Sequence, residues 1–462
     1  MSATGAFAYQ AVYRYLGELI DAAGPGQRLP PLRLLARQLS VSMSTVQSAY
    51  SLLETQGRVY SVRKSGYFTC PRSQTGSDPG GEDLLERLNA LAQQEQLQQM
   101  SHASAVLEQP LEILLHRWER HLLRLSPRLA GSLAHPCGDT QLRRALAARY
   151  STAVDQCWNA DNLYLGVDAA SVLRLLILAL ALKGQTVVVV TPCPWPLLRA
   201  LRDAGVQVLE LALCDRGRID LQWLEPQLKG GRVRLMLLDS RVNLPHGTLM
   251  PLAQRRALGR LLVHYGTWLL EHDGGGELCF SETPRLRELI DPQRLLILGS
   301  LEQGIGAEGG YGYLMSRHFA PSLRQVFLQR ACRLPPIRQQ AIARLFDGGQ
   351  VDAHLQRLRC LWQVRLGTWQ QQLDRHLAEH VEYTRPKGGT GLWLRCRQPV
   401  NGRRLFERLV QRRIVVTPGE LFSLRGDFSQ CLLLACPDLS EAQHEALWPV
   451  VAEVLAREGR ES

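Results

Sequence analysis

Residues 29–68 read LPPLRLLARQLSVSMSTVQSAYSLLETQGRVYSVRKSGYF. Leu29-Pro30-Pro31 opens a helix with proline in its first turn, where the missing N–H has no helical partner to lose. Leu32, Leu35, Ala36 and Leu39 follow at helical spacing and are expected to be buried. Ser40-Val41-Ser42 makes a short turn in which the Ser42 hydroxyl can cap the next helix. That helix, Met43 to Gln56, gathers Met43, Val46, Ala49, Tyr50 and Leu53 on one face and turns Ser44, Thr45, Gln47, Ser48 and Ser51 outward. Gly57 stops it, and Arg58 to Thr69 alternates as a two-stranded hairpin whose tip is Arg63-Lys64-Ser65-Gly66. Upstream, Phe7 to Ala23 carries Val12, Tyr15, Leu16, Leu19 and Ile20 at helical spacing and ends at Gly24-Pro25-Gly26.

The charge points the same way. The chain carries a formal net charge of +11. In residues 1–75, eight basic side chains (Arg14, Arg28, Arg33, Arg37, Arg58, Arg63, Lys64, Arg72) face the acids Glu18, Asp21 and Glu54, a balance of +5 in under a sixth of the length. A polyanionic partner requires such a footprint. With its spacing of Leu29-Pro30, Arg33, Ala36, Val41-Ser42, Thr45-Val46, Ala49-Tyr50, Leu53-Glu54, Gly57, Gly66 and Phe68, the stretch resembles the winged helix-turn-helix of the GntR regulators. The resemblance implies double-stranded DNA as partner, with the third helix in the major groove. Arg33, Ser44, Thr45, Gln47, Ser48, Arg63, Lys64 and Gly66 are the candidate contacts, and Gln47 is the best base reader by chemistry. Met43 stands where that family often has arginine, so one positive contact is missing.

Beyond Cys70, the run PRSQTGSDPGG will not pack and reads as a flexible connection. Asp83 to Gln99 then reads as a helix, as a plain linker or as a dimer contact. From about Glu108, helices alternate with β-branched runs at Thr186–Val190, Val206–Leu211, Arg234–Leu238, Thr267–Leu270 and Leu295–Leu298. This alternation implies an α/β domain with a mainly parallel sheet. The longest apolar stretch, Val172 to Leu182, is broken by Arg174, and the N-terminus MSATGAFAYQ lacks a signal core, so a soluble cytoplasmic protein is expected. Eleven cysteines without a CxxC pair argue against zinc fingers and disulfide frameworks, and the histidines show no ligand spacing. Gly304 to Gly309 (GIGAEG) reads as loop geometry, not a dinucleotide site.

Several segments of the second domain resemble the MocR branch of the GntR regulators, in which the winged helix is fused to a fold type I aminotransferase-like domain. They are His135–Arg143 (HPCGDTQLR), Gly184–Pro192 (GQTVVVVTP), Asn243–Gly247 (NLPHG), Gly348–Trp362, Gly388–Cys396 and Ile414–Phe422. Enzymes of that fold hold pyridoxal phosphate through a lysine that follows a buried strand. This chain has only four lysines, Lys64, Lys183, Lys229 and Lys387. In Leu298–Leu314 (LGSLEQGIGAEGGYGYL) the resemblance puts Gln303 at the lysine, Glu302 at a hydroxyl residue near the phosphate and Gly310 at the phosphate-clamping arginine. In Glu271-His272-Asp273-Gly274 it puts His272 at the carboxylate that pairs with the ring nitrogen, and Gly274 at the tyrosine near the ring hydroxyl. Asp273 substitutes only if the strand slips by one residue. Asp168 falls in the phosphate-binding turn, where its charge repels a phosphate by about 4 kcal/mol for each unit of charge at 4 Å and an effective dielectric near 20. Leu433 stands for the arginine that grips the substrate carboxylate.

The resemblance therefore implies a DNA-binding transcription regulator, homodimeric, whose aminotransferase-like domain is not an enzyme and holds no pyridoxal phosphate. The expected domains are 1–70 (winged helix), 71–107 (linker with helix) and 108–462 (aminotransferase-like), with a small α+β subdomain from about 365. A remnant pocket of Asp168, Asn243, His272, Glu302 and Gln303, with Trp195 nearby, is a candidate site for a small-molecule effector. A pure dimer scaffold, and a pyridoxal-phosphate-responsive regulator or working aminotransferase, are the alternatives.

Overall fold

The computed structural model describes Val12, Tyr15, Leu16, Leu19 and residues 29–39, 41–55, 59–62, 66–69, 79–101, 111–125, 135–151, 157–214, 216–290, 292–306, 309–330 and 334–461. The chain divides into two compact units, residues 1–82 and 83–462.

In the first unit the helices Leu32–Gln38 and Met43–Thr55 precede β1 (Val59–Val62) and β2 (Gly66–Thr69), an antiparallel hairpin in the register Val62↔Gly66 to Val59↔Thr69. Val12, Leu16, Leu29, Leu35, Ala36, Val46, Ala49, Tyr50 and Leu53 form one core. Leu32 and Leu39 are only half-buried and pack on its edge. Met43, expected inside, is 45% exposed, because it sits in the first turn, one turn short of the Val46–Leu53 core. Tyr15, of the upstream helical face, is likewise exposed, while Val12 and Leu16 are buried.

The second unit is built on two sheets. Its strands are β3 (Gln98–Met100), β4 (Leu163–Gly166), β5 (Thr186–Thr191), β6 (Gln207–Ala212), β7 (Val233–Asp239), the short pair β8 (Val242–Asn243) and β9 (Thr248–Leu249), β10 (Trp268–His272), β11 (Leu295–Ser300), β12 (Gly312–Met315), β13 (Val381–Tyr383), β14 (Gly391–Cys396), β15 (Ile414–Pro418) and β16 (Cys431–Ala435). The large sheet has the order β4-β12-β11-β10-β7-β5-β6. All its strands run one way except β12, which is antiparallel to β11 and β4. Helices cover both faces, so the strands are apolar on both sides: Val187, Val189, Leu235, Leu237, Leu270 and Leu298 enter one core, and Val188, Met236, Leu238, Leu269 and Ile297 the other. The second sheet, β13-β14-β16-β15-β3, carries the small subdomain.

The segment read as one linker helix over 83–99 differs. The helix spans Pro79–Ala92, taking in Pro79-Gly80-Gly81 of the expected flexible run, and buries Leu84, Leu88 and Leu91 in the core of the second unit. It then ends, and Gln98–Met100 becomes β3, parallel to β15 in the register Ile414↔Gln98 to Val416↔Met100. The Gln98 amide donates to the Arg413 carbonyl at 2.7 Å. A distant strand supplies those hydrogen bonds, so the local helical preference of the glutamine-rich run loses.

Candidate functional site

The outward face of Met43–Thr55 is polar as read: Ser44 and Gln47 are exposed and Thr45 is half-buried. The Ser42 hydroxyl accepts the Thr45 amide at 3.1 Å and meets the Thr45 hydroxyl at 2.7 Å, so Ser42 caps this helix and commits part of Thr45 to it. The Tyr50 hydroxyl donates to the Pro30 carbonyl at 2.6 Å, and its ring stacks on Tyr67 of β2 at 4.3 Å. The Leu29 amide donates to the Tyr67 carbonyl at 2.9 Å. Through Tyr50 and Tyr67 the hairpin is fastened to the helix beside it, and burial pushes the Tyr50 phenol well up. Arg33 is exposed on Leu32–Gln38, and Gly66 opens β2 opposite Val62. Arg63, Lys64 and the Ser48 side chain lie outside the described residues.

In the second unit the strand ends collect the other candidates along one edge of the large sheet: Asp168 after β4, Trp195 after β5, Asn243 after β7, His272 at the end of β10, and Glu302 and Gln303 after β11. Asp168 caps Ala169–Ala179, its carboxylate accepting the Ser171 amide at 2.6 Å and the Ser171 hydroxyl at 3.1 Å. The helix end that could receive a phosphate thus already holds an anion. Asn243 is buried and its amide donates to the Thr248 carbonyl at 3.1 Å, closing its own loop. Trp195 packs edge-on to Phe422 at 5.3 Å. Glu302 is exposed at the start of the short helix Glu302–Ile305, whereas the Gln303 Oε1 is buried without a hydrogen-bond partner. Lys183, Lys229 and Lys387 are exposed, and Lys64 lies outside the described residues. Leu433 is half-buried in β16 between Trp393 and Thr417.

His272 is the centre of this edge. Its Nδ1 lies 2.7 Å from an oxygen of Asp239, the residue directly beside it at the end of β7. The other Asp239 oxygen accepts the Leu244 amide at 2.7 Å. A Cβ on Gly274 would stand 2.6 Å from the His272 Nε2, so the imidazole occupies the space that any side chain at 274 would need. Asp273 faces elsewhere: fully buried, it pairs with Arg287 and, at 3.3 Å, with Arg285. Glu271 completes that cluster, accepting from Ser240 at 2.6 Å and Arg287 at 2.7 Å. The register His272↔Asp239 and His272↔Leu298 is regular on both sides. No slip brings Asp273 to the position of His272. The sequence offered no signal for the Asp239 partner or for the Arg287 cluster, since both join residues 14 to 33 positions apart.

Cavities of about 960 and 450 Å³ in this unit are lined by other residues than these candidates. Among the described residues no group of histidine, cysteine, aspartate and glutamate could hold a metal ion, and no helix is long and apolar enough to cross a membrane.

Comparison with known proteins agrees with this division. Residues 8–68 match the bacterial regulatory proteins of the gntR family. Over nearly the whole chain, the protein is 28% identical to the uncharacterized HTH-type transcriptional regulator YjiR of Escherichia coli, with 95% of this chain and 97% of that protein covered. It is 27% identical to YdcR of the same organism, covering 91% and 93%. The 2-aminoadipate transaminase of Thermus thermophilus is 26% identical over 55% of this chain and 65% of its own length. Among solved structures, the multiple substrate aminotransferase of Thermococcus profundus superposes with a TM-score of 0.73 at 20% identity, covering 82% of this chain and 96% of its own. The α-aminoadipate aminotransferase LysN of Thermus thermophilus superposes with a TM-score of 0.69 at 22% identity, covering 82% and 96%. The large unit therefore has the fold of the type I aminotransferases, joined to a GntR-type helix-turn-helix.

Proposed function

We propose that this chain is a DNA-binding transcription regulator of the MocR type whose aminotransferase-like unit is catalytically inactive and serves dimerisation and effector sensing. The DNA-binding part is supported by the gntR-family match over residues 8–68 and by the exposed polar face of Met43–Thr55. Gln47 reads a base edge, while Arg33, Arg63 and Lys64 hold phosphates. The observation that carries the inactive reading is the strand-end edge itself. Position 303 offers an amide, the three described lysines are exposed, and the helix end beside it is capped by Asp168. A Schiff base needs an amine and pyridoxal phosphate needs an anion site, so the residues present do not fit that cofactor.

Of the candidate pocket groups, Asp168 and Asn243 are engaged by their own loops. The His272 Nε2, the Gln303 Oε1 and the Glu302 carboxylate retain capacity, which suits a neutral or cationic effector. Incubation of the purified full chain with excess pyridoxal phosphate, followed by gel filtration and borohydride treatment, tests the inactive reading: a colourless protein is expected. A yellow protein bleached by borohydride would replace it with a cofactor-responsive regulator or an aminotransferase. Mapping of bound genomic sites tests the DNA reading, with enrichment at discrete sites expected and uniform background its refutation.

A further inference from the structure

The cavity of about 960 Å³ lies among the helix Thr140–Tyr150, the segment after β10 and the first half of the helix Gln350–His376. Four guanidiniums line it: Arg149, Arg241, Arg285 and Arg359. Two of them are neutralised. Arg149 pairs with Glu277 at 3.0 Å and with Asp352, and Arg285 pairs with Glu277 at 3.1 Å and Asp273 at 3.3 Å. The other two form no ion pair among the described residues. Arg241 has its Nε buried without a partner, and its one hydrogen bond among the described residues is a 3.4 Å contact from Nη1 to the Gly276 carbonyl. Arg359 also has its Nε buried without a partner, and among the described residues it forms no ion pair. Burial and the neighbouring Arg285 charge press the Arg241 pKa downward, outweighing the opposite pull of Asp273 and Glu277, with which it forms no ion pair.

Buried charged donors are normally satisfied, and here the Nε atoms of Arg241 and Arg359 in one cavity have neither a hydrogen bond nor an ion pair among the described residues. We propose that this cavity binds a small organic monocarboxylate, its carboxylate held between Arg241 and Arg359. A guanidinium fork matches a carboxylate in plane and charge. The same lining carries Glu277 and Asp352 together with Glu282, Glu288 and Asp347, so a dianion meets twice the repulsion from these carboxylates that a single negative charge does. Phe280, Phe346 and Tyr150 supply apolar surface for the body of the ligand. The site is separate from the His272 edge and does not depend on the reading given to it.

Isothermal titration of the full chain with benzoate, benzamide and inorganic phosphate at matched ionic strength tests the proposal. Benzoate is expected to bind saturably, while its neutral isostere benzamide and the phosphate dianion do not. Arg359→Met and Arg241→Met should each weaken benzoate binding by roughly tenfold or more. Among the described residues both side chains lack ion-pair partners, so the variants keep their fold, which the thermal midpoint checks. His272→Ala should leave benzoate affinity unchanged. No saturable benzoate binding, equal binding of benzamide, tighter binding of phosphate, or unchanged affinity in both arginine variants would each overturn the assignment.

Discussion

The contact between Gly274 and His272 can be measured as a coupling energy. An alanine at 274 needs no unusual backbone, but its Cβ would stand 2.6 Å from Nε2 and 2.7 Å from Cε1 of the imidazole. Both distances fall roughly 1 Å short of an optimal contact of about 3.5 Å. The ring cannot simply swing aside. Its Nδ1 is held at 2.7 Å by Asp239, whose other oxygen is committed to the Leu244 amide. Overpacking costs about 1–3 kcal/mol, and losing a hydrogen bond to a charged group about 1.5–3 kcal/mol. Because the two penalties are alternatives in part, Gly274→Ala should destabilise the unit by about 2–4 kcal/mol. In a His272→Ala background the nearest remaining atoms stand no closer than 3.6 Å, an ordinary contact, so the same substitution should cost less than about 0.5 kcal/mol, a coupling of roughly 2 kcal/mol. All nine tryptophans lie between Trp118 and Trp448, so urea unfolding followed by tryptophan fluorescence reports the second unit alone. An equal cost of Gly274→Ala in both backgrounds would refute the reasoning.

Three further outcomes are expected. Gln47→Ala should cost about 1–3 kcal/mol on the cognate site and relax specificity at one base, whereas Arg33→Ala should weaken all sequences alike and reduce the salt slope by about 1, as read by fluorescence anisotropy across a salt series. Burial alone would lift the Glu277 carboxyl, but Arg149 and Arg285 beside it hold it at about 2 against an ordinary 4.5. A carboxyl depressed in the folded state stabilises fully above its unfolded value and loses that contribution as pH falls toward 2; Glu277→Gln should therefore flatten the stability profile below pH 4.5 in acid-dependent urea titrations. His272→Asp would set a second carboxylate beside Asp239, raising the pKa of one of the pair; stability should then fall as pH rises through that raised value, and a variant with the parent's pH profile would count against the geometry.

What could be read in the sequence followed from local chemistry. The runs Thr186–Thr191, Val233–Asp239 and Leu295–Ser300 are legible because strands of a parallel sheet buried on both faces need continuous apolar residues. Ser42 is legible as a cap because capping is decided within four residues. β3 is not, since three residues, Gln98 to Met100, owe their conformation to β15, more than three hundred positions away. Met43 misled because periodicity gives the face of a helix but not how far the core extends along it. At the strand-end edge the sequence supplied the replaced residues, while their partners, Asp239 for His272 and Arg287 for Asp273, came only with the folded chain.

Those partners explain why the departures at this edge belong together. The imidazole at 272 fits because position 274 carries no side chain, and Asp239, which steadies it, would repel a carboxylate placed at 272. Asp273, the nearest substitute, is bound to Arg285 and Arg287 with no solvent exposure, and freeing it would leave each of these buried arginines with one carboxylate partner fewer. Asp168 holds the helix end as a cap, so removing its charge without a polar replacement also loosens Ala169–Ala179. A lysine at 303 would therefore enter an edge whose carboxylates Asp168, Asp239 and Asp273 are already engaged by interactions that stabilise the fold. The strand-end edge is organised around His272, whose imidazole, Asp239 partner and glycine neighbour at 274 fit one another.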